Sequence, residues 1–281
     1  MKHPFLMVVL TFCAFSQYAF SQETVGNPEK YTSTNKGKFY IFWGGNRESY
    51  SRSDIRFKGA DYDFTLYDVA AHDKPKGWHC DYINPARMTI PQTNFRLGYF
   101  ITDHYNISIG VDHMKYVMYN DRTVNYSGYY PNAGTYNENP TANTLTLDEN
   151  FLTFEHTDGL NYVNTEFSRV DDLSKLLHLP NTDTFQINIT EGIGAGVLFP
   201  KTNTKLLNKE RYDQFHIAGY GVAAKVGLNF TFFKHFFIQT ELKGGYIDMN
   251  DIRTTNNTAD KAEQHFWFLQ RIIAIGGIFR I

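Results

Sequence analysis

A two-residue alternation of apolar with polar or glycine residues, sustained for about ten residues at a time and repeated along most of the chain, is the feature that most narrows the possible folds. In 94–101 the apolar set is Phe95, Leu97, Tyr99 and Ile101, with Arg96 and Gly98 between them. In 106–118, Ile107, Ile109 and Val111 oppose Ser108, Gly110 and Asp112. The stretch 184–198 sets Phe185, Ile187, Ile189, Ile193, Ala195 and Val197 against Gln186, Asn188, Thr190 and three glycines. Similar runs follow at 222–232, 236–243 and 269–281. Alternation of this period is the signature of strands with one apolar face. The mean hydropathy of -0.41, despite 42% hydrophobic residues, says the same of the whole chain and excludes a bundle of transmembrane helices.

Alternation alone also suits a soluble sandwich. Three features point instead to a transmembrane barrel. Segments of about 9–11 residues match a tilted strand crossing a bilayer, whereas soluble strands centre on about 5–6. The polar face carries Arg96, Asp112, Lys225, Glu241 and Lys243, which suits a hydrated or salt-bridged interior and would ruin a sandwich core. The alternation of Leu269, Ile273, Ile275, Phe279 and Ile281 runs to the last residue, like the final strand of an outer-membrane barrel, although such strands usually end in Phe and Phe279 is two residues early.

Residues 1–21 read as a signal peptide: Lys2 in a short positive start, an apolar stretch from Pro4 to Phe15 too short to cross a bilayer, and small residues at Ala19 and Ser21, with cleavage before Gln22. Bulky Phe12 before Cys13 argues against a lipoprotein. Export leaves Cys80 as the lone cysteine and no intrachain disulfide. Residues 22–37 form a polar periplasmic lead and 38–281 the barrel. Bacterial barrels have an even strand number, short periplasmic turns and longer outer loops. Placing the tight connections at 102–105 and 233–235 in the periplasm yields eight strands near 38–47, 91–101, 106–119, 151–169, 184–199, 214–232, 236–250 and 265–281. The outer loops are then 48–90, 120–150, 200–213 and 251–264. Segment 54–69, which alternates but would spoil parity, is read as a β extension within the long first outer loop, and 171–183 as a longer periplasmic connection with one helical turn. The expected class is all-β: an eight-stranded antiparallel transmembrane β-barrel in the cell outer membrane, just wide enough to be filled by its own side chains.

The stretches GKFYIFWGGNR (37–47), DYDFTL (61–66), MTIPQTNFRLGYF (88–100), SIGVDHMKYVM (108–118) and FEHTDGLNYVN (154–164) resemble the small eight-stranded outer-membrane barrels of Gram-negative bacteria, and more narrowly uncharacterised flavobacterial-type barrel proteins. The resemblance implies a location and a fold but no activity. It also implies outer-membrane lipids, lipopolysaccharide included, as neighbours and the barrel assembly machinery as a partner during insertion.

No nucleotide, cofactor, zinc-protease or nucleophile-elbow motif is present, and 27 Lys+Arg against 29 Asp+Glu leaves no footprint for nucleic acid. The concentration of chemistry is Asp112, His113 and Lys115 beside Glu155, His156, Thr157 and Asp158, on neighbouring strands near the outer rim. A hydrolase would use His113 or His156 as base, Asp158 or Glu155 to orient it and Thr157 as a poor nucleophile. Lipid A deacylases place a His and a Ser two apart on such a lipid-facing wall; here the position after His113 by two is Lys115. His113, His156, Asp158 and Glu155 could alternatively bind a divalent metal. The plainer reading pairs Asp112 and Glu155 with interior Arg96, Lys225 or Lys243, while His113, Lys115 and His156 meet lipid phosphates. Aromatics such as Trp43, Tyr99, Tyr105, Phe236 and Trp267 suit the membrane interfaces. Tyr126, Tyr129, Tyr130 and Tyr136 sit in an outer loop where a ligand or protein partner could touch them, as could loop 48–90. Glu191 falls on an apolar face and calls for a bulge, a partner or a change of phase. The favoured role is structural or surface interaction, the rival a lipid-modifying hydrolase, and the third reading a soluble barrel with its apolar faces turned inward around a ligand.

Overall fold

The computed structural model describes residues 34–77, 80–82, 91–131, 136–179 and 181–281. The expected signal peptide at 1–21 and the lead at 22–33 lie outside the described residues. Within 34–281 the strands are β1 (Phe39–Tyr50), β2 (Ser53–Lys58), β3 (Asp63–Val69), β4 (Ala71–His72), β5 (Thr93–Phe100), β6 (Tyr105–Met118), β7 (Thr123–Tyr129), β8 (Glu138–Asn139), β9 (Thr144–Thr146), β10 (Leu152–Asp172), β11 (Phe185–Leu198), β12 (Asn203–Leu206), β13 (Gly219–Phe232), β14 (Phe236–Arg253) and β15 (Lys261–Phe279), with a 3-10 turn at Cys80–Tyr82.

Eight of them close a ring in the order β1-β5-β6-β10-β11-β13-β14-β15, with β15 pairing back to β1, all antiparallel. Closure follows from the register. Stepping across the ring from Phe39 passes Tyr99, Ile107, Phe167, Ile193, Ala224, Gly244 and Leu269 and returns to β1 at Ser49. That displacement along the chain is the shear of the barrel, and with eight strands it tilts them by about 40° from the axis. The fold is the eight-stranded antiparallel barrel read from the alternation.

Burial is inverted relative to a soluble domain. Arg96 and Lys243 are each 1% exposed inside the barrel, while Ile193 is 66% exposed outside it, together with Leu97, Ile107, Ile109, Leu242 and Ile275. Such an outward surface is stable against hydrocarbon and costly in water. The third reading, a soluble binder with the apolar faces inward, is thereby corrected: the strands turn those faces out. Ile193→Arg is therefore expected to cost about 2–4 kcal/mol of insertion free energy if it lies at mid-bilayer depth. The fraction of protein folding into lipid vesicles, compared with wild type, checks this; an unchanged fraction contradicts a lipid-facing wall.

The turns expected to face the periplasm are as tight as read. Phe233 and Lys234 both take positive φ, 52° and 65°, and the His235 N–H donates to Phe232 O, a type I′ hairpin matching the twist of its strands. Segment 171–183 includes one helical turn among its described residues, with the Leu177 N–H donating to Leu173 O. Glu191 keeps the phase of β11 without a bulge and lies opposite Arg169 of β10.

At the end away from these turns the strands gather further sheet. β2 pairs with the start of β15, and the sheet continues through β3, β7 and β9 to β8, while β12 pairs β10 and β4 pairs β6. Segment 54–69 is thus the expected extension of the first outer loop. Segment 120–150, read as an open loop, is corrected: its described residues supply three strands, because their edges are satisfied by pairing to β3 and to one another.

Candidate functional site

Two layers fill the barrel from its middle to its outer mouth. In the lower layer, inward phase brings Arg96 of β5, Asp112 of β6, Glu166 of β10, Lys225 of β13 and Glu241 and Lys243 of β14 to one level. Glu166 forms ion pairs with Arg96 at 3.0 Å and with Lys225 and Lys243 at 2.7 Å each. Lys243 also reaches Asp112 at 2.7 Å, Lys225 reaches Glu241 at 2.7 Å, and Arg96 lies 3.6 Å from Asp112. Asn164 adds a bond from its amide to Asp112 and accepts one from Arg96. Three cations against three carboxylates leave this layer formally neutral, which offsets much of the cost of holding charge out of water. Glycine makes room for it: a Cβ at Gly110 would sit 3.0 Å from Cζ of Arg96.

The upper layer is a hydrophobic core of the soluble kind. Phe57, Phe64, Tyr116, Phe154, Tyr162 and Phe266 belong to one buried cluster, with Phe57 stacked on Phe64 and other pairs tilted or edge-on, as Tyr116 and Phe266 are at 5.1 Å. Tyr130 is buried in it, and Tyr126 and Tyr136 pack against it. The expectation that the four loop tyrosines are free for a ligand is corrected for these three; Tyr129 alone among them is exposed.

The rim residues singled out in the sequence are not brought together. His113 and Lys115 lie on the outward phase of β6, as expected, yet both are buried; Nδ1 of His113 pairs with Oδ1 of Asn161 at 2.7 Å. His156 is corrected: it points inward with Phe154, fully buried, because Tyr116, its partner across the ladder, faces the apolar core. Its Nδ1 lies 3.0 Å from the Thr202 hydroxyl. Glu155 is corrected too. It faces outward and bonds Lys74 at 3.3 Å and Asn203 at 2.9 Å, not the interior cations. Asp158 pairs with Lys201 at 3.4 Å, and Thr157 falls in the bulge of β10 between His156 and Leu160. His113 and His156 therefore occupy opposite faces of the wall. Among the described residues no three His, Cys, Asp or Glu side chains converge on a metal position.

A surface cleft of about 260 Å³ was not legible in the sequence. Arg52, Asp68, Tyr119, Arg122, Val124 and Leu147 line it, contributed by four separate stretches that only the added sheet brings together. The Arg122 guanidinium stacks 4.3 Å over the Tyr119 ring, and Arg52 pairs with Asp68 at 2.7 Å.

No protein-family model and no curated protein sequence matches the chain. Among solved structures it is similar to the outer membrane protein OprG from Pseudomonas aeruginosa, at a TM-score of 0.37 and 9% identity, covering 89% of this chain and 99% of that one. It is also similar to Ail, the attachment invasion locus protein of Yersinia pestis (0.28, 10%, 85% and 99%), and to the outer membrane protease OmpT from Escherichia coli (0.25, 8%, 89% and 99%). These neighbours are outer-membrane β-barrel proteins. At such scores and identities no residue role carries across.

Proposed function

We propose that this is an outer-membrane protein acting at the cell surface, where a closed barrel holds up a folded outer platform. One observation carries the reading: the bore is filled by the ion layer around Glu166 and, above it, by the apolar cluster around Phe64 and Tyr116. A general diffusion pore has no use for such a plug. What remains available to other molecules is the outside: the platform with its arginine-rimmed cleft and Tyr129, and the lateral wall, for which lipopolysaccharide is the natural neighbour. Export after cleavage near Ser21, insertion by the barrel assembly machinery and kinship with flavobacterial-type barrels belong to the same reading and rest on the sequence stretches quoted above. The hydrolase reading is not favoured, since His113 bonds an amide and His156 is sealed in the core.

The test uses protein purified from the outer-membrane fraction, with its N-terminus expected at Gln22. Reconstituted in planar bilayers, it is expected to show no stable conductance steps. Sustained ohmic channels would overturn the reading and make the plug a gate.

A further inference from the structure

Resting on the outer-membrane reading above, we infer that Arg47 of β1 and Arg271 of β15 form a phosphate site on the outside of the barrel wall, and that its ligand is the phosphorylated headgroup of lipid A. The two residues are direct partners across the ladder that closes the ring. Both point away from the bore, since Asn46 and Glu48 on either side of Arg47, and Gln270 and Ile272 on either side of Arg271, are buried inside it. Like charges set opposite one another repel and weaken a ladder.

Among the described residues nothing offsets that repulsion. The Arg47 guanidinium donates to the Asn46 carbonyl and to the Tyr82 hydroxyl and pairs with no carboxylate, and exposed Arg271 has neither a hydrogen bond nor an ion pair. Elsewhere on the wall such cations are matched, Arg169 with Asp171 at 2.6 Å and Lys201 with Asp158 at 3.4 Å. The neighbours of Arg271 are apolar: Leu242 faces it from β14, and Leu269 and Ile273 flank it along β15. A cation on an apolar, membrane-facing wall is costly without a counter-charge, and two side by side are more so.

The first outer loop prepares one of the two forks. Gly45 leaves room for Tyr82 to lie against the wall, where a Cβ would come within 3.0 Å of its ring, and the Trp43 indole N–H donates to the Tyr82 carbonyl at 2.9 Å. The Tyr82 hydroxyl accepts from Arg47 at 3.3 Å and gives its own proton to the Lys76 carbonyl at 3.4 Å, so it positions the guanidinium. Both bonds of Arg47 come from Nη1, which leaves Nε and Nη2, a complete bidentate edge, for a ligand.

The site lies at one rim of the apolar wall. From Phe39, whose ring packs with Tyr99 and Phe279 at the end carrying the tight turns, β1 runs eight residues to Arg47. At about 3.4 Å per residue and a tilt of about 40° this is roughly 20 Å, against an apolar band of roughly 25 Å. Side chains there reach the headgroups of the leaflet away from the tight turns. A monoester phosphate carries about two charges and oxygens enough for both forks, whereas a carboxylate or the phosphodiester of an ordinary phospholipid leaves one arginine unbalanced. The apolar flanks favour an anion that brings acyl chains with it, as the lipid A phosphates do.

The experiment uses the full barrel chain refolded in zwitterionic detergent, with bound lipid counted by native mass spectrometry after addition of diphosphoryl lipid A. Retention of one lipid A per barrel is expected, with a loss of affinity of about tenfold or more when the lipid is dephosphorylated or the chain carries Arg47→Gln or Arg271→Gln. Both side chains lie outside the bore, so both variants are expected to keep the folded gel migration. Arg56→Gln, which replaces an exposed arginine paired with Asp63 on the platform, is expected to bind as the wild type does. Equal binding of dephosphorylated lipid A overturns the inference, as does unchanged affinity in either folded variant, a matching loss in Arg56→Gln, or equal retention of phosphatidylglycerol. A folded barrel that retains no lipid A loses this site and leaves the surface reading standing, whereas a chain that does not fold in detergent sinks both.

Discussion

Glu166→Gln is expected to lower the unfolding free energy of the barrel by about 3–5 kcal/mol, the usual consequence of removing one member of a buried ion network. Glu166 is the hub: it alone touches Arg96, Lys225 and Lys243. Without its charge, three cations share Asp112 and Glu241 at the same level of the bore, and each is too buried to be rescued by bulk water. The amide can still accept a hydrogen bond but cannot balance the charge. Urea titration, with the folded fraction read from gel migration, measures the loss. A double replacement of Glu166 and Lys225 by methionine should cost less than the sum of its single replacements, since it removes a cation together with its carboxylate. A Glu166→Gln loss below about 1 kcal/mol would show that the charges are solvated and the bore is wet, in conflict with the typical cost of unpaired buried charge.

Phe64→Ala should be as costly but elsewhere. Phe64 is fully buried in the outer cluster, with ring centroids 5.2 Å from Phe57, 5.2 Å from Tyr130 and 5.6 Å from Phe151. Truncating a buried Phe costs about 3–5 kcal/mol through lost transfer energy and the cavity left behind. None of these rings lies in the ion layer, so the loss is expected to fall on the platform while the transmembrane ring stays closed. Limited trypsin digestion of the folded protein checks this. The variant should be cut within 52–58, next to Arg52, Arg56 or Lys58, under conditions that spare the wild type, with the barrel still migrating as folded. Joint unfolding of barrel and platform would show that the two layers are one cooperative unit.

These two sites also mark what the sequence conveys. The ring was legible because alternation is a local property: a strand presents successive side chains to opposite faces, so Arg96, Asp112, Lys225, Glu241 and Lys243 announce a common interior without any knowledge of register. Parity and turn lengths then counted the strands and relegated 54–69 to an outer extension. The partner of each charge was not legible, since a pair such as Lys243 and Asp112 depends on how far strands slide past one another. For the same reason Glu155 was assigned to the wrong cations, and His156 to the lipid face although it shares the phase of Phe154.

The outer end was the least legible. The strand at Thr123–Tyr129 alternates only over Val124 and Tyr126, and it is ordered by pairing to β3 on one side and β9 on the other. The cleft around Arg122 and the meeting of Glu48 with Asp73 across the first outer loop have no local signal at all. By itself, then, the sequence determined the class of fold, the eight strands of the ring and the face taken by most ring residues, because those follow from a two-residue repeat that each ring strand carries alone. Register, the plug's pairings and the platform over the mouth were decided by the tertiary structure, because they arise only when segments far apart in the chain satisfy one another's backbone edges and charges.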